Sequence, residues 1–290
     1  MEQKKKVWVF GDSTTQEYTE KSYPVQGWAY YLREMLNDEI TYINVGHAGY
    51  TLKTFLYSEA YREGKTDVNE PEKSLWNQIL SQIRPGDLFV FYWAGVNDMG
   101  SIGKNSYREK AGGEYVRDFY FTDRDVYLNV GEGFGTHTFF TLRSSVSQYT
   151  ELLVEMLKQL RQQGAEVLLV RGTGKYYKRN GAEKDVFAAS HEYMRVMKQA
   201  AEQAGVPYLN VGEIFEQEFA EIGFYQMMVK YFLYAESRKY YAALKGMEYD
   251  GSKADDNVHY NPLGARRICE IFREEVRKIP CSLNEYWKED

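Results

Sequence analysis

Ser13 is the first residue whose type and position could support chemistry, because it lies just beyond an apolar run, after Gly11 and Asp12. The run KVWVF at 6–10 leads into GDSTTQE, where a serine hydroxyl could act as a nucleophile if a general base lies beside it. The same position also suits a helix N-cap, since Ser13 with Gln16, or Thr14 with Glu17, fits a capping box. Taken alone, this segment favours a capping serine.

A nucleophilic serine needs a base, and His259 has the most suitable neighbour among the four histidines of the chain. Asp256 precedes it by three residues in ADDNVHYNPLG. At that spacing a turn can bring the carboxylate to one imidazole nitrogen and leave the other to accept a proton from serine. An exposed turn around Asn257 is the simpler explanation of an isolated DxxH, so the motif alone is weak support.

Two further loops contain groups that could stabilise an oxyanion. Gly49 lies in NVGHAGYTLKTF and Asn97 lies in AGVNDMG, each after an apolar run. An asparagine amide can donate to an oxyanion, and a glycine N–H can approach where a side chain would collide. Both residue types are also common in ordinary loops, so each position considered alone favours a structural role.

The elements that must position these residues alternate between strands and helices. Continuous apolar runs, typical of strands covered on both faces, occur at 6–10, 40–45, 87–93, 166–170 and 207–211. Helical periodicity occurs at 27–37, 74–83, 143–163, 185–204 and 262–279. The alternation predicts an α/β fold: a flavodoxin-like, doubly wound parallel sheet of about five strands with helices on both faces. Sites in such sheets form beyond the carboxyl ends of the strands, where all four candidate positions are expected.

The 290 residues are interpreted as one domain, 1–290, with insertions at about 99–141 and 213–250. The first insertion is rich in glycine, charge and aromatic residues and is predicted to run over the active face. The second has helical spacing and is predicted to pack on the sheet or on other helices. No repeat or linker indicates a domain boundary.

Composition limits the possible partners and the compartment. The formal net charge of −6 gives no general attraction to nucleic acid or to an anionic membrane, and no segment has the length of a membrane span. Cys269 and Cys281 fit neither a disulfide framework nor a zinc site. The sequence as written predicts a cytoplasmic protein, and an extracellular protein whose signal peptide had been removed would look similar. The oligomeric state is left open.

Four blocks, in order along the chain, resemble those of the SGNH, or GDSL-type, hydrolase superfamily. They are GDST at 11–14, the turn at Gly49, GVND at 95–98 and DNVH at 256–259. Within that superfamily, the sequence is similar to the rhamnogalacturonan acetylesterase group. That closer similarity depends on GDST, on YPVQGWAYYL at 23–32 and on DNVHYNPLGA at 256–265.

The resemblance implies a role for each candidate residue. Ser13 would be the nucleophile, His259 the general base and then the general acid, and Asp256 the residue that orients the histidine. The oxyanion hole would consist of the Ser13 and Gly49 backbone N–H groups and the Asn97 side chain. Neither a metal nor an organic cofactor is implied.

The resemblance implies a serine esterase that removes acetyl groups from a carbohydrate, and the expected substrate is an acetylated pectic oligosaccharide of the rhamnogalacturonan type. The chain departs from the group at Val96, where histidine or glutamine is common, and in YTLKTF after Gly49. Both positions lie near the substrate, so they leave the sugar open. The candidate substrate-binding residues are Tyr50, Trp93, Val96 and Tyr260, since aromatic faces can stack on sugar rings.

Three other functions are alternatives to this one. A lipid- or thioester-directed esterase of the same superfamily is the main alternative. A nucleotide-binding module that uses RGTGK at 171–175 is disfavoured, because the loop lacks the P-loop spacing. A carbohydrate-binding protein without catalysis is disfavoured too, because every expected catalytic residue type is present.

Overall fold

The computed structural model describes most of the chain, namely residues 4–62, 69–99, 144, 146–179, 181–249 and 251–289. The insertion predicted at 99–141 lies outside these described residues except for its first position.

Five parallel strands form the central sheet. They are β1 (Lys6–Phe10), β2 (Thr41–Asn44), β3 (Leu88–Trp93), β4 (Glu166–Arg171) and β7 (Tyr208–Leu209). Their order is β2-β1-β3-β4-β7, and every neighbouring pair is parallel. The chain passes from β1 to one side and then to the other, so the topological switch point lies between β1 and β3. The predicted α/β fold, with a doubly wound parallel sheet of about five strands, is confirmed.

Helices cover both faces of this sheet. In chain order they are α1 (Trp28–Met35), α2 (Leu52–Leu56), α3 (Glu59–Arg62), α4 (Leu75–Leu80), α5 (Val96–Met99), α6 (Val146–Gln162), α7 (His191–Ala204), α8 (Val211–Ile222), α9 (Phe224–Tyr231), α10 (Ala235–Leu244) and α11 (Pro262–Val276). Short 3-10 turns occur at Glu20–Ser22, Pro71–Lys73 and Ser282–Glu285.

The alternation of side chains along β1 separates two apolar cores. Val7 and Val9 pack with α1, α8, α9 and α11 on one face of the sheet. Trp8 and Phe10 pack with α4, α6 and α7 on the other face. Because both faces are covered, the strand is apolar at every position after Lys6, as the sequence pattern indicated.

Two predicted helical segments contain strands as well. The segment 185–204 begins with β6 (Val186–Ala188), which pairs antiparallel with β5 (Tyr176–Lys178), and becomes helical only at His191. The helix predicted for Val186–Ala188 was wrong, because the backbone N–H and carbonyl groups of β6 form hydrogen bonds with β5.

The segment 213–250 is helical over α8, α9 and α10, but it is interrupted twice. Gly223, with φ of 84°, separates α8 from α9, and a backbone in that region favours glycine. The second interruption is β8 (Phe232–Leu233), which pairs antiparallel with β9 (Asp256–Tyr260). This small ribbon carries Asp256 and His259 on β9.

Candidate active site

Ser13 lies in a tight turn just beyond the carboxyl end of β1. The N–H groups of Thr15 and Gln16 both donate to the carbonyl oxygen of Asp12, at 3.0 and 3.1 Å. The Asp12 carboxylate accepts the Thr14 N–H at 2.9 Å and the Thr14 hydroxyl at 2.7 Å. A Cβ at Gly11 would overlap the Thr15 side chain, so glycine is required for the chain to fold back here.

The helix predicted to start at Ser13 does not form, and neither capping box is present. No helix continues from this turn, because residues far along the chain donate hydrogen bonds to the carbonyl oxygens that helical N–H groups would otherwise use. The Trp28 N–H donates to the Thr14 carbonyl at 3.0 Å, and the Asn44 side-chain amide donates to the Thr15 carbonyl at 2.9 Å. The Ser13 hydroxyl is therefore held by a turn rather than by a helix N-terminus.

His259 lies directly against this serine. Its Nε2 atom is 2.8 Å from the Ser13 Oγ, and its Nδ1 atom is 2.7 Å from Oδ2 of Asp256. The other oxygen of Asp256 accepts the backbone N–H groups of Val258 and His259, at 2.9 and 3.1 Å. Since the carboxylate is fixed by these N–H donors, it can orient the imidazole. The three residues form one continuous line of hydrogen bonds.

The charges around His259 favour its protonated form. Burial acts to lower the pKa of His259, but the hydrogen bond and charge of Asp256, together with the charge of Asp12, raise the pKa above its usual value of 6.5. Burial likewise acts to raise the pKa of Asp256, but His259 and the backbone donors lower it overall. A raised pKa suits a histidine that must accept a proton from serine during a reaction.

Three N–H groups proposed for an oxyanion hole have free donor capacity. Among the described residues, no acceptor contacts the backbone N–H of Ser13 or of Gly49. The Asn97 amide donates to the Tyr50 carbonyl at 2.9 Å, which holds the amide beside the Gly49 loop. Its second N–H has no acceptor within the described part of the chain. Gly49 itself has φ of 75°, a backbone conformation that favours glycine.

Side chains fasten the Gly49 loop to its neighbours on both sides. Oε1 of Gln16 accepts the Ala48 N–H at 2.7 Å, which joins the loop to the Ser13 turn. On the other side, the buried Asp98 carboxylate accepts the Leu52 N–H at 2.9 Å and the Trp93 indole N–H at 2.8 Å. In the sequence Gln16 fits only a capping box, and no signal there indicates this contact with Ala48.

Two of the four predicted substrate-binding residues are buried, so those assignments were wrong. Trp93 is 1% exposed and Tyr260 is 0% exposed. The Tyr260 hydroxyl bonds Thr173 and the Tyr92 hydroxyl, the latter at 3.0 Å, so it joins β9 to the sheet. A sugar ring cannot reach either aromatic face.

The other two predicted substrate-binding residues, Tyr50 and Val96, are half-buried. The Tyr50 ring stacks on the His47 imidazole, with ring centroids 4.7 Å apart. Because Tyr50 directly follows Gly49, its ring remains a candidate for contact with substrate.

Within the described ranges, no helix has the length and apolar character needed to cross a membrane. The same residues contain no group of three or more His, Cys, Asp or Glu side chains that could hold a metal ion.

Comparison with known proteins identifies similar sequences and folds. A sequence profile of the GDSL-like lipase/acylhydrolase family matches residues 9–267. A search of curated proteins finds no match. A crystal structure of a Bacillus subtilis protein has a TM-score of 0.56 and 18% identity over 95% of this chain, and the matched region is 57% of that protein's length.

Two further solved structures are more distant. A lipase/acylhydrolase from Enterococcus faecalis has a TM-score of 0.43 and 13% identity, with 99% of each chain covered. An acetylxylan esterase from Geobacillus stearothermophilus has a TM-score of 0.45 and 16% identity, with 93% of each chain covered. Of these three structures, the Bacillus subtilis protein has a TM-score above 0.5, and its similarity supports the fold.

Proposed function

The chain belongs to the GDSL-like lipase/acylhydrolase family, and from that premise we propose that it is a serine esterase that removes acetyl groups from a carbohydrate. Family membership confirms the superfamily predicted from the four sequence blocks. The similarity to the rhamnogalacturonan acetylesterase group stays a prediction, and an acetylated pectic oligosaccharide is the proposed substrate.

The observation that carries this proposal is the line of hydrogen bonds from Asp256 through His259 to Ser13. The contacts of 2.7 and 2.8 Å lie on opposite nitrogens of one imidazole ring. When Nδ1 carries the proton toward Asp256, Nε2 is left to accept the serine proton. This is the arrangement that converts a hydroxyl group into a nucleophile.

In the first half of the reaction, the Ser13 Oγ attacks the carbonyl carbon of the ester while its proton passes to Nε2 of His259. The carbonyl oxygen becomes an oxyanion, which we assign to the N–H groups of Ser13, Gly49 and Asn97. Collapse of this intermediate breaks the bond to the sugar oxygen. The sugar alcohol leaves with the proton that His259 returns, and acetyl-Ser13 remains.

In the second half, water takes the position of the departed alcohol. His259 removes a proton from the water as its oxygen attacks the acetyl carbonyl, and the same N–H groups receive the oxyanion. Collapse then breaks the bond to the Ser13 Oγ, which regains its proton from His259. The products are acetic acid, which ionises to acetate, and the original enzyme.

The side chains around the Gly49 loop support a polar substrate. Gln16, His47, Tyr50 and Asn97 bring amide, imidazole and aromatic groups to this edge of the sheet. Amide and imidazole groups can bond sugar hydroxyls, and a tyrosine ring can stack on a sugar face. A lipid-directed esterase would instead gain from apolar side chains here.

Acetate release from acetylated pectin, xylan and mannan tests the proposal directly. We expect release from at least one of these polymers, with acetylated pectin the best substrate, and loss of release in Ser13→Ala. Ser81→Ala is a matched control, because Ser81 is an exposed serine at the end of α4, which leads to the opposite, amino end of β3.

The length of the preferred acyl group distinguishes an acetylesterase from the main alternative, a lipid- or thioester-directed esterase. We expect 4-nitrophenyl acetate to be hydrolysed with a higher kcat/KM than 4-nitrophenyl octanoate. A clear preference for the octanoate, with no acetate release from any polymer, would show that the enzyme is a lipid- or thioester-directed esterase.

A further inference from the structure

Tyr18 holds the carbonyl group of the proposed nucleophile. Its hydroxyl donates to the Ser13 carbonyl oxygen at 2.7 Å, within the loop that leads from β1 to α1. The tyrosine side chain is half-buried, and nothing in the sequence distinguishes it from the other tyrosines of the chain. Tyr18 therefore contacts the residue whose Oγ must attack the ester, although it does not belong to the line of hydrogen bonds from Asp256 to Ser13.

The two peptide units on either side of Ser13 are held at every polar group but one. In the Asp12–Ser13 unit, the carbonyl accepts two backbone N–H groups of the turn, at 3.0 and 3.1 Å. In the Ser13–Thr14 unit, the N–H donates to the Asp12 carboxylate at 2.9 Å, and Tyr18 holds the carbonyl. The remaining group is the Ser13 N–H, which contacts no acceptor among the described residues and which we assign to the oxyanion.

The orientation of the Ser13 carbonyl depends on Tyr18. Within the described ranges, its hydroxyl is the one donor that reaches this oxygen. The next two carbonyls of the turn are instead held by an N–H group of α1 and by the Asn44 amide of β2. Because a peptide unit is planar and turns only about its neighbouring φ and ψ angles, a change in this carbonyl direction would also shift the Ser13 side chain.

The surroundings of Tyr18 keep its hydroxyl protonated. Burial and the negative charges of Asp12 and Asp256 raise the pKa of Tyr18 above its ordinary value of 10, against a smaller effect of the bond to Ser13. The hydroxyl therefore remains a hydrogen-bond donor throughout the pH range in which an esterase of this kind would work.

We propose that Tyr18 is a positioning residue, which fixes the Ser13 peptide so that the Oγ faces His259 and the N–H faces the developing oxyanion. This proposal rests on the proposed function and adds a residue to it. Oxyanion donors are effective because they are oriented before the reaction begins. A misplacement of about 1 Å at a reacting group can lower a rate about a hundredfold, and the loss of one hydrogen bond to a turn should cause a smaller displacement.

Tyr18→Phe removes the hydroxyl and keeps the ring. We expect kcat and kcat/KM for 4-nitrophenyl acetate to fall together by about tenfold with little change in KM, because the lost interaction orients groups that act in the transition state. Urea denaturation should show that the variant folds.

Tyr42→Phe is the matched control for this substitution. The Tyr42 hydroxyl also donates to a backbone carbonyl at 2.7 Å, that of Ala29 on α1, and its side chain is also half-buried. Loss of this bond should lower the free energy of unfolding by an amount similar to that of Tyr18→Phe. It should leave kcat unchanged, because the bond lies on β2 and α1 and not on the Ser13 turn.

A boronic acid distinguishes positioning from a general loss of stability. Methylboronic acid can form a tetrahedral adduct with the Ser13 Oγ, in which a negatively charged group occupies the position of the oxyanion. We expect its inhibition constant to rise about tenfold in Tyr18→Phe, in parallel with the fall in kcat, because the adduct resembles the transition state. The constant should be unchanged in Tyr42→Phe.

Replacement of Tyr18 by 4-aminophenylalanine returns a hydrogen-bond donor to the same position of the ring. This variant should recover part of the kcat that Tyr18→Phe loses. If Tyr18→Phe does not fold, the 4-aminophenylalanine variant decides. An aromatic amine is a weaker donor than a phenol, so its kcat should lie below that of the wild-type enzyme, and an equal kcat would overturn the role of Tyr18.

The outcomes separate this inference from the proposed function. An unchanged kcat in folded Tyr18→Phe, an equal fall in Tyr42→Phe, or a fall in kcat with an unchanged inhibition constant would overturn the role of Tyr18 alone. Failure of the wild-type enzyme to hydrolyse 4-nitrophenyl acetate or any acetylated polymer would overturn the proposed function, and the inference with it.

Discussion

The Nε2 atom of His259 lies 2.8 Å from the Oγ of Ser13, although 246 positions separate the two residues along the chain. Ser13 is held by the turn after β1, and His259 is held by the β8–β9 ribbon. The contact therefore depends on correct docking of that ribbon at the carboxyl edge of the sheet. Asp256, only three residues from His259, completes the line through a local contact of 2.7 Å.

Substitution of either end of this contact should abolish turnover. We expect Ser13→Ala and His259→Ala each to lower kcat for 4-nitrophenyl acetate by about ten-thousandfold or more, because nucleophile and base act as a unit. The double variant should be little worse than either single variant. Thermal unfolding should confirm that the variants fold, and full activity in both folded variants would place the site elsewhere.

The pH dependence should report the state of His259. Asp256 and Asp12 raise the pKa of His259 above 6.5, and only the neutral imidazole can accept the serine proton. We therefore expect kcat/KM to rise with pH through a midpoint above 6.5. Asp256→Asn should move that midpoint downward and lower the plateau. A wild-type midpoint at or below 6.5 would contradict the electrostatic assignment.

The Asn97 amide should contribute to transition-state stabilisation. We expect Asn97→Ala to lower kcat by about a hundredfold to a thousandfold, as loss of one oxyanion donor does, while leaving turnover measurable. Asn97→Asp is the matched variant, because it keeps the size of the side chain but replaces its donor with an acceptor, and it should be at least as impaired. An unchanged kcat in Asn97→Ala would remove this residue from the oxyanion hole.

Asp98 should contribute to the stability of the fold and not to catalysis. Its carboxyl accepts two buried N–H groups, so Asp98→Asn would leave one of them unpaired and should lower the free energy of unfolding at pH 5 by about 1–3 kcal/mol. Urea denaturation measures this difference. Asp38→Asn, at an exposed aspartate, is the control and should change stability by less than about 0.5 kcal/mol.

The cost of Asp98→Asn should also decrease as the pH rises. Burial raises the pKa of Asp98 from 3.8 to about 7, against the effect of its N–H donors. Between these values the folded protein holds a proton that the unfolded chain releases, so wild-type stability falls with rising pH relative to the asparagine variant. A difference that grows between pH 5 and pH 8 would contradict the raised pKa.

Tyr260 and Tyr50 should respond differently to substitution, because only Tyr50 is accessible. Tyr260→Phe removes the bonds to Thr173 and Tyr92 and should lower the free energy of unfolding by about 1–3 kcal/mol with KM unchanged. Tyr50→Ala should raise KM for the acetylated sugar several-fold. Kinetics and urea denaturation of both variants check this, and a raised KM in Tyr260→Phe would restore that residue to the substrate site.

The sequence by itself determined the sheet and the residue types of the site. Apolar runs such as KVWVF and DLFVFYW predict strands, because a strand covered on both faces must be apolar at successive positions. The positions of Ser13 and Asn97 at the ends of β1 and β3 follow from that prediction, since parallel strands end at the same edge. Asp256 and His259 are close in sequence, so their spacing alone allowed their contact to be proposed.

Only the tertiary structure decided which local preferences prevailed. The helix after Ser13 is replaced by a turn because Trp28 and Asn44 take the carbonyls of Thr14 and Thr15. Tyr260 is buried because distant residues pack around it, and Asp256 and His259 lie at the edge of the sheet because β9 pairs with β8. Burial and long-range hydrogen bonding depend on residues far apart in the chain, and no local pattern encodes them.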